Sequence, residues 1–165
     1  MTNTLLHQLA VKAGNRLREE RLLLATAESC TGGMVAAAMT DISGSSNWFE
    51  RGFVTYSNQA KIDMIGVPAE LIDKHGAVSE QVARAMAEGA LRNSRAQLSL
   101  AITGVAGPGG GTAEKPVGMV CFAWTNRLTT VVETQHFKGD RAQVRNQAAQ
   151  HALRGLLKLI DTAEA

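Results

Sequence analysis

The chain has 165 residues, 45% of them apolar, and its 17 basic and 15 acidic residues leave a formal net charge of +2. That length suits one domain, residues 1–165 taken whole, with enough chain to bury a real core. Near-balanced charge and few aromatic side chains (four Phe, two Trp, one Tyr) argue against nucleic acid as a partner. No window approaches the ~18 apolar residues of a membrane span, and Met1-Thr2-Asn3-Thr4 lacks the charged start of a secretion signal. The two cysteines, Cys30 and Cys121, form no CxxC pair, so a reducing, cytoplasmic location is expected.

Leu6, Leu9, Ala10, Ala13 and Leu17 recur at helical spacing and predict an amphipathic helix over 4–20. An apolar run at 22–27 reads as a buried strand, and 32–40 reads as a buried helix. Between them lies Glu28-Ser29-Cys30-Thr31-Gly32-Gly33, a strand-to-helix turn. Turn formers fill 41–46, with Trp48 and Phe49 placed to cover them. A strand is expected over 52–56, then a short helix over 59–65 capped by Ser57-Asn58. Pro68 suits the first turn of a helix ending near Gly76. Ser79 caps a longer helix reaching about residue 94, with Val82, Ala83, Met86 and Ala90 facing inward. A strand at 97–103 opens into 104–111, which holds five glycines in eight residues. Strands over 118–125 and 129–137 are joined by so short a link that they must form an antiparallel hairpin. Asp140 caps a last helix running to about Ile160. This order predicts an α/β fold: a three-layer α/β/α sandwich on a mixed, mostly parallel sheet with a late antiparallel hairpin.

The turn at 28–33 lies outside the carboxyl end of a sheet, where open α/β folds bind ligands. The backbone of Cys30, Thr31 and Gly32 is therefore a candidate contact for an anionic group at a helix start. Ser29 and Cys30 compete as nucleophile, and neighbouring residues there diverge by roughly 100°, so one pocket takes only one of them. A thiol near a helix start ionises more easily, yet it usually needs a histidine partner. His7, His75, His136 and His151 are scattered over helices and a strand, and they also offer no metal site. Ser29 needs a base, which a desolvated lysine can supply. Tyr56 and Lys61 fall at the same rim of the sheet, so they are candidates beside Ser29. The plain alternative is a capping serine, a buried cysteine and a solvated lysine.

Loop 104–111 follows a strand directly, and its bare backbone can approach a phosphate or an oxyanion. It matches neither the Walker A nor the dinucleotide fingerprint. On the last helix Ala149, Ala152, Leu153, Leu156, Leu157 and Ile160 form one apolar stripe. Steps of four back along it reach Arg145 and Arg141. Two arginines on a core-facing stripe must be paired or must line a cavity. Either a structural salt bridge or an anion-binding wall satisfies that requirement.

The run 27–33, Gly44-Ser45-Ser46, the run 52–61, Gly76-Ala77-Val78-Ser79, Thr103 to Gly110 and Lys115-Pro116-Val117-Gly118, in this order, resemble the CinA C-terminal domain family. The likeness extends from about residue 5 to 160 and is that of a member without the N-terminal domain of longer relatives. Thr103 and Val105 stand where many members carry Ser and Ile. The resemblance implies a nicotinamide mononucleotide deamidase that releases nicotinic acid mononucleotide and ammonia, needs no cofactor and forms a homo-oligomer. It implies Ser29 as nucleophile, Lys61 as its base, and Tyr56, Ser46 and Thr103 as pocket hydrogen-bonders. Backbone at Gly104 and Gly107 would lie close to the ligand, and Arg145 would help hold it. Two rivals remain at this level: a non-catalytic nucleotide-binding module, and an amidase for another phosphorylated amide.

Overall fold

The computed structural model describes residues 4–163; Met1-Thr2-Asn3, read above for a secretion signal, lie outside the described residues. Its elements are α1 (Thr4–Glu20), β1 (Leu24–Glu28), α2 (Met34–Thr40), β2 (Phe49–Val54), α3 (Asn58–Ile65), α4 (Ala69–His75), α5 (Glu80–Arg92), β3 (Leu98–Gly104), β4 (Met119–Thr125), β5 (Thr130–His136) and α6 (Arg141–Ala163). One sheet of order β2-β1-β3-β4-β5 runs through the molecule. β1 pairs in parallel with β2 and β3, while β4 pairs antiparallel with β3 and β5. Four of the five strands thus point the same way, and the late hairpin supplies the reversal. The expected mixed α/β sandwich is the observed fold.

Period-two alternation divides the core into two unlike halves. Leu24, Leu98, Leu100, Ile102, Val120, Phe122 and Trp124 face α1, α2 and α6, whereas Ala25, Ala27, Ala101, Cys121 and Ala123 face α5. Small side chains on the second face let α5 lie close, and its Val82, Ala83, Met86 and Ala90 are fully buried as expected. On the first face the Trp124 indole N–H donates to Ala152 O at 2.8 Å. A Cβ at Gly155 would fall 2.1 Å from the Trp124 ring. Gly155→Ala should therefore force α6 off the sheet and cost about 1–3 kcal/mol, an overpacking penalty readable as a lower urea midpoint. Trp48 is buried against α1, where the absence of a side chain at Gly14 makes room for its ring.

Several boundaries move for local reasons. The expected strand at 22–27 ends at Glu28, because the whole of Leu24–Glu28 pairs on both sides. The expected strand at 52–56 begins at Phe49 and stops at Val54, and Thr55 and Tyr56 leave the ladder. The expected helix at 32–40 begins at Met34, since Gly32 and Gly33 have φ of 60° and 106° and belong to the turn. The final helix passes residue 160 to reach Ala163. In its stripe Leu157 is only partly buried, while Ala149, Ala152, Leu153, Leu156 and Ile160 are in the core. No helix of the described residues is long and apolar enough to cross a membrane.

Candidate active site

The site is built where β1, β2 and β3 end. Ser29 follows β1 directly, and its N–H donates to Ile102 O of β3 at 2.9 Å. Thr55 N–H donates to Glu28 O at 2.9 Å, so the chain leaving β2 is fixed beside the same turn. Ser57 then caps α3 by accepting from Ala60 N–H. One turn further on, Lys61 points back toward the strand ends. Its Nζ donates to Thr55 O at 3.0 Å and Tyr56 O at 3.1 Å, and lies 3.1 Å from Ser29 Oγ.

Those three partners define what Lys61 can do. They are two carbonyls and a hydroxyl, none of them anionic, and Lys61 is 1% exposed. Burial holds its pKa below the ordinary lysine value, because an ammonium out of water is the disfavoured form. A neutral amine keeps two N–H groups and one lone pair. With the two carbonyls taking the N–H groups, the lone pair faces Ser29 Oγ. That is the geometry of a general base within hydrogen-bond reach of a nucleophile. Ser29 Oγ also lies 3.2 Å from Tyr56 O.

Cys30 has the opposite character. It packs into the α6-side core, and burial pushes its thiol up to about 12. Of the two candidates at this turn, the thiol is the one whose burial disfavours the thiolate a cysteine nucleophile needs. Cys30 can meet a ligand only through its backbone. Cys30→Ala should keep activity within a few-fold while costing about 1–2 kcal/mol for the lost burial. Thiol-selective alkylation of the folded protein should leave Cys30 unmodified. Rapid alkylation with loss of activity would reverse this assignment.

Glu28 holds the turn in place. Its carboxylate is 1% exposed. It accepts from Thr31 Oγ1 at 2.7 Å, Val35 N–H at 2.9 Å and Ala36 N–H at 3.0 Å. The residue at the formal N-cap of α2 is Gly33, which has no side chain to cap with. Glu28 caps from the strand side instead, and its charge suits a helix start. A Glu directly before a Ser-x-x-Gly-Gly turn was the available signal.

Both arginines of the α6 stripe reach this rim. Arg145 donates from Nε to Cys30 O at 3.0 Å and from Nη2 to Thr31 O at 3.2 Å. A Cβ at Gly32 would lie 3.2 Å from the same guanidinium. Arg141 donates to Gly107 O at 2.7 Å and lies 3.4 Å from the Tyr56 hydroxyl. Neither forms an ion pair with a carboxylate among the described residues, so the structural salt bridge considered above is not their role. Each keeps three of its five N–H donors free of the bonds just named.

The remaining candidates divide. Thr103 is buried at the end of β3, and its hydroxyl donates to Ala77 O at 2.9 Å. Gly104 ends β3, and Gly107 follows on the loop that Arg141 holds. Tyr56 is 61% exposed and flanks the opening. Ser46 does not join them within one chain. It sits on a short 3-10 turn, Ser45–Asn47, ahead of β2. Because Phe49 pairs with Leu24 at the start of β1, that turn lies at the opposite end of the sheet from Ser29. Within one chain the structure does not bring Ser46 to Ser29.

Residues 6–160 match the family model described as the CinA C-terminal domain. The chain belongs to the CinA C-terminal domain family. It is 55% identical over 149 residues to a putative competence-damage inducible protein of Symbiobacterium thermophilum, covering 85% of this chain and 35% of that protein. The chain thus spans about a third of the length of such CinA relatives. It is also 53% identical over 157 residues to the nicotinamide-nucleotide amidohydrolase PncC of Escherichia coli K12, covering 94% of this chain and 95% of that protein. Among solved structures it resembles the competence/damage inducible protein CihA of Agrobacterium tumefaciens, with a TM-score of 0.91 at 44% identity. That match covers 94% of this chain and 95% of the other.

Proposed function

We infer that this CinA-family chain is a nicotinamide-nucleotide amidohydrolase, converting nicotinamide mononucleotide and water to nicotinic acid mononucleotide and ammonia. The observation that carries the reading is the buried Ser29–Lys61 contact of 3.1 Å, with the lysine held toward its neutral form and two arginines at the same rim that have no carboxylate partner among the described residues. The first pair suits acyl transfer from an amide, and the arginines suit an anionic nucleotide. Likeness over nearly full length to a protein named for this reaction supports the same substrate.

In the proposed mechanism Ser29 Oγ attacks the carboxamide carbon while its proton passes to Lys61 Nζ. The Ser29 N–H is engaged by Ile102 O and the Gly32 N–H by Ser29 O. The developing oxyanion is therefore met by the other amides of the turn and by the free Arg145 donors. Lys61 returns the proton to the departing nitrogen, which leaves as ammonia and yields an ester on Ser29. Water then attacks that ester with Lys61 again taking the proton, and the acid is released with Ser29 restored. Tyr56 and Arg141 flank the opening and contact the substrate. No step calls for a metal or cofactor.

A panel of pyridine nucleotides and small amides, scored for ammonia release, tests the reading. Turnover confined to nicotinamide mononucleotide supports it. Binding of the nucleotide without ammonia indicates a binding module, and preference for another phosphorylated amide reassigns the substrate. A cytoplasmic setting and a homo-oligomer belong to the same proposal. Buried free thiols at Cys30 and Cys121 suit the first, and the unpaired edge of β5 offers a strand for the second.

A further inference from the structure

Residues 105–118 leave the sheet and return to it at one point: Val105 N–H donates to Met119 O at 2.9 Å and Gly118 N–H to Val105 O at 2.8 Å. The excursion is a strap with an exposed tip, compact in the manner of an Ω-loop. It is held on two sides. On the α6 side Arg141 donates to Gly107 O. On the α4 side the Lys115 ammonium donates to His75 O, the last carbonyl of α4. Lys115 is set for this by its own turn, in which Thr112 N–H donates to Lys115 O at 2.9 Å and Lys115 N–H to Thr112 Oγ1 at 3.0 Å.

The receiving side is shaped for that contact. A helix end leaves carbonyls without partners and favours a cation. In the link after α4, His75 O, Gly76 O and Ala77 O accept in turn from Lys115, from Ser79 Oγ at 2.8 Å and from Thr103 Oγ1 at 2.9 Å. Gly76 has φ of 79°, and a Cβ there would lie 2.5 Å from Lys115 Nζ. The link is thus tied at once to the strap, to the cap of α5 and to the end of β3 beside Ser29.

We propose that Lys115 is a positioning residue for the Ser29–Lys61 site: its bond to His75 O latches the glycine-rich strap across the strand ends, where it helps hold bound substrate. Lys115 touches neither reacting atoms nor the catalytic pair, so its effect falls on binding and not on chemistry. The inference rests on the amidohydrolase reading for its kinetic arm only.

The test compares the full chain with its Lys115→Met, Lys115→Gln and Lys115→Arg variants by amide hydrogen exchange without substrate and by steady-state ammonia release. In the Met and Gln variants exchange over residues 107–114 should quicken about tenfold, the scale of losing one charge-assisted hydrogen bond. KM for nicotinamide mononucleotide should rise by a similar factor, with kcat within about twofold and other regions exchanging as in wild type. Lys115→Arg should restore both. Unchanged strap exchange overturns the latch, and faster exchange with unchanged KM overturns the positioning role. If the wild-type chain releases no ammonia, the reaction reading falls alone, and strap exchange still decides the latch.

Discussion

Ser29→Ala should abolish ammonia release, lowering kcat by on the order of 10^4-fold or more while nucleotide binding survives within a few-fold. The size follows from the removal of a covalent route, since loss of a nucleophile in such a unit costs nearly as much as loss of the whole unit. Binding survives because Arg141, Arg145 and the turn backbone do not depend on the hydroxyl. The turn itself should persist, held by Glu28 through Thr31, Val35 and Ala36. Coupled measurement of ammonia and of nucleotide binding by calorimetry checks both halves. Wild-type turnover by this variant would remove the mechanism.

Lys61→Met should cost about 10^2–10^4-fold in kcat, the usual range for a positioned general base. It should also alter the pH dependence of stability, and the sign follows from burial. The folded-state pKa of Lys61 lies below its ordinary value, whereas the unfolded chain titrates near ~10.4. Between those two values the unfolded chain holds a proton that the folded one has released. Wild-type stability therefore rises with pH across that window, and below it the cost of burying the ammonium is fully present. Lys61→Met lacks this term, so relative to wild type it should gain stability as pH falls. Urea unfolding of both proteins across the window reads the difference. Activity of the wild type should rise with pH through the same lowered pKa, as Lys61 becomes able to accept the Ser29 proton. A stability difference that does not change with pH would mean that Lys61 titrates alike in both states.

The Ser29–Lys61 contact was legible because each residue sits at a punctuation mark in the sequence. An apolar run ending in Glu28-Ser29 and a Tyr56-Ser57-Asn58 break before Lys61 put both at strand ends, and parallel strands bring those ends together. That Arg141 and Arg145 share the side of α6 facing the strand ends was legible from steps of four along the α6 stripe. Their partners were not, because Cys30 O, Thr31 O and Gly107 O are backbone groups whose orientation depends on positive-φ glycines and on long-range packing. The cap from Glu28 crosses from a strand to a helix seven and eight residues on, outside local capping patterns, so the Glu before the Ser-x-x-Gly-Gly turn signalled it without naming its partners. Ser46 was named through the family resemblance alone, and the register of Phe49 with Leu24 puts it at the far end of the sheet within one chain. Lys115 could not be read at all, since nothing near it in sequence points to the end of α4, 40 residues earlier.

In the proposed mechanism Ser29 carries the acyl group during amide hydrolysis. Rapid acid quench of the full chain during turnover of nicotinamide mononucleotide, followed by peptide mass analysis, reads this directly. The predicted result is the mass of the nicotinate-nucleotide acyl group, as an ester, on the peptide containing Ser29, absent from Ser29→Ala. An adduct on Cys30 instead, or steady ammonia release from Ser29→Ala at the wild-type rate, would contradict it.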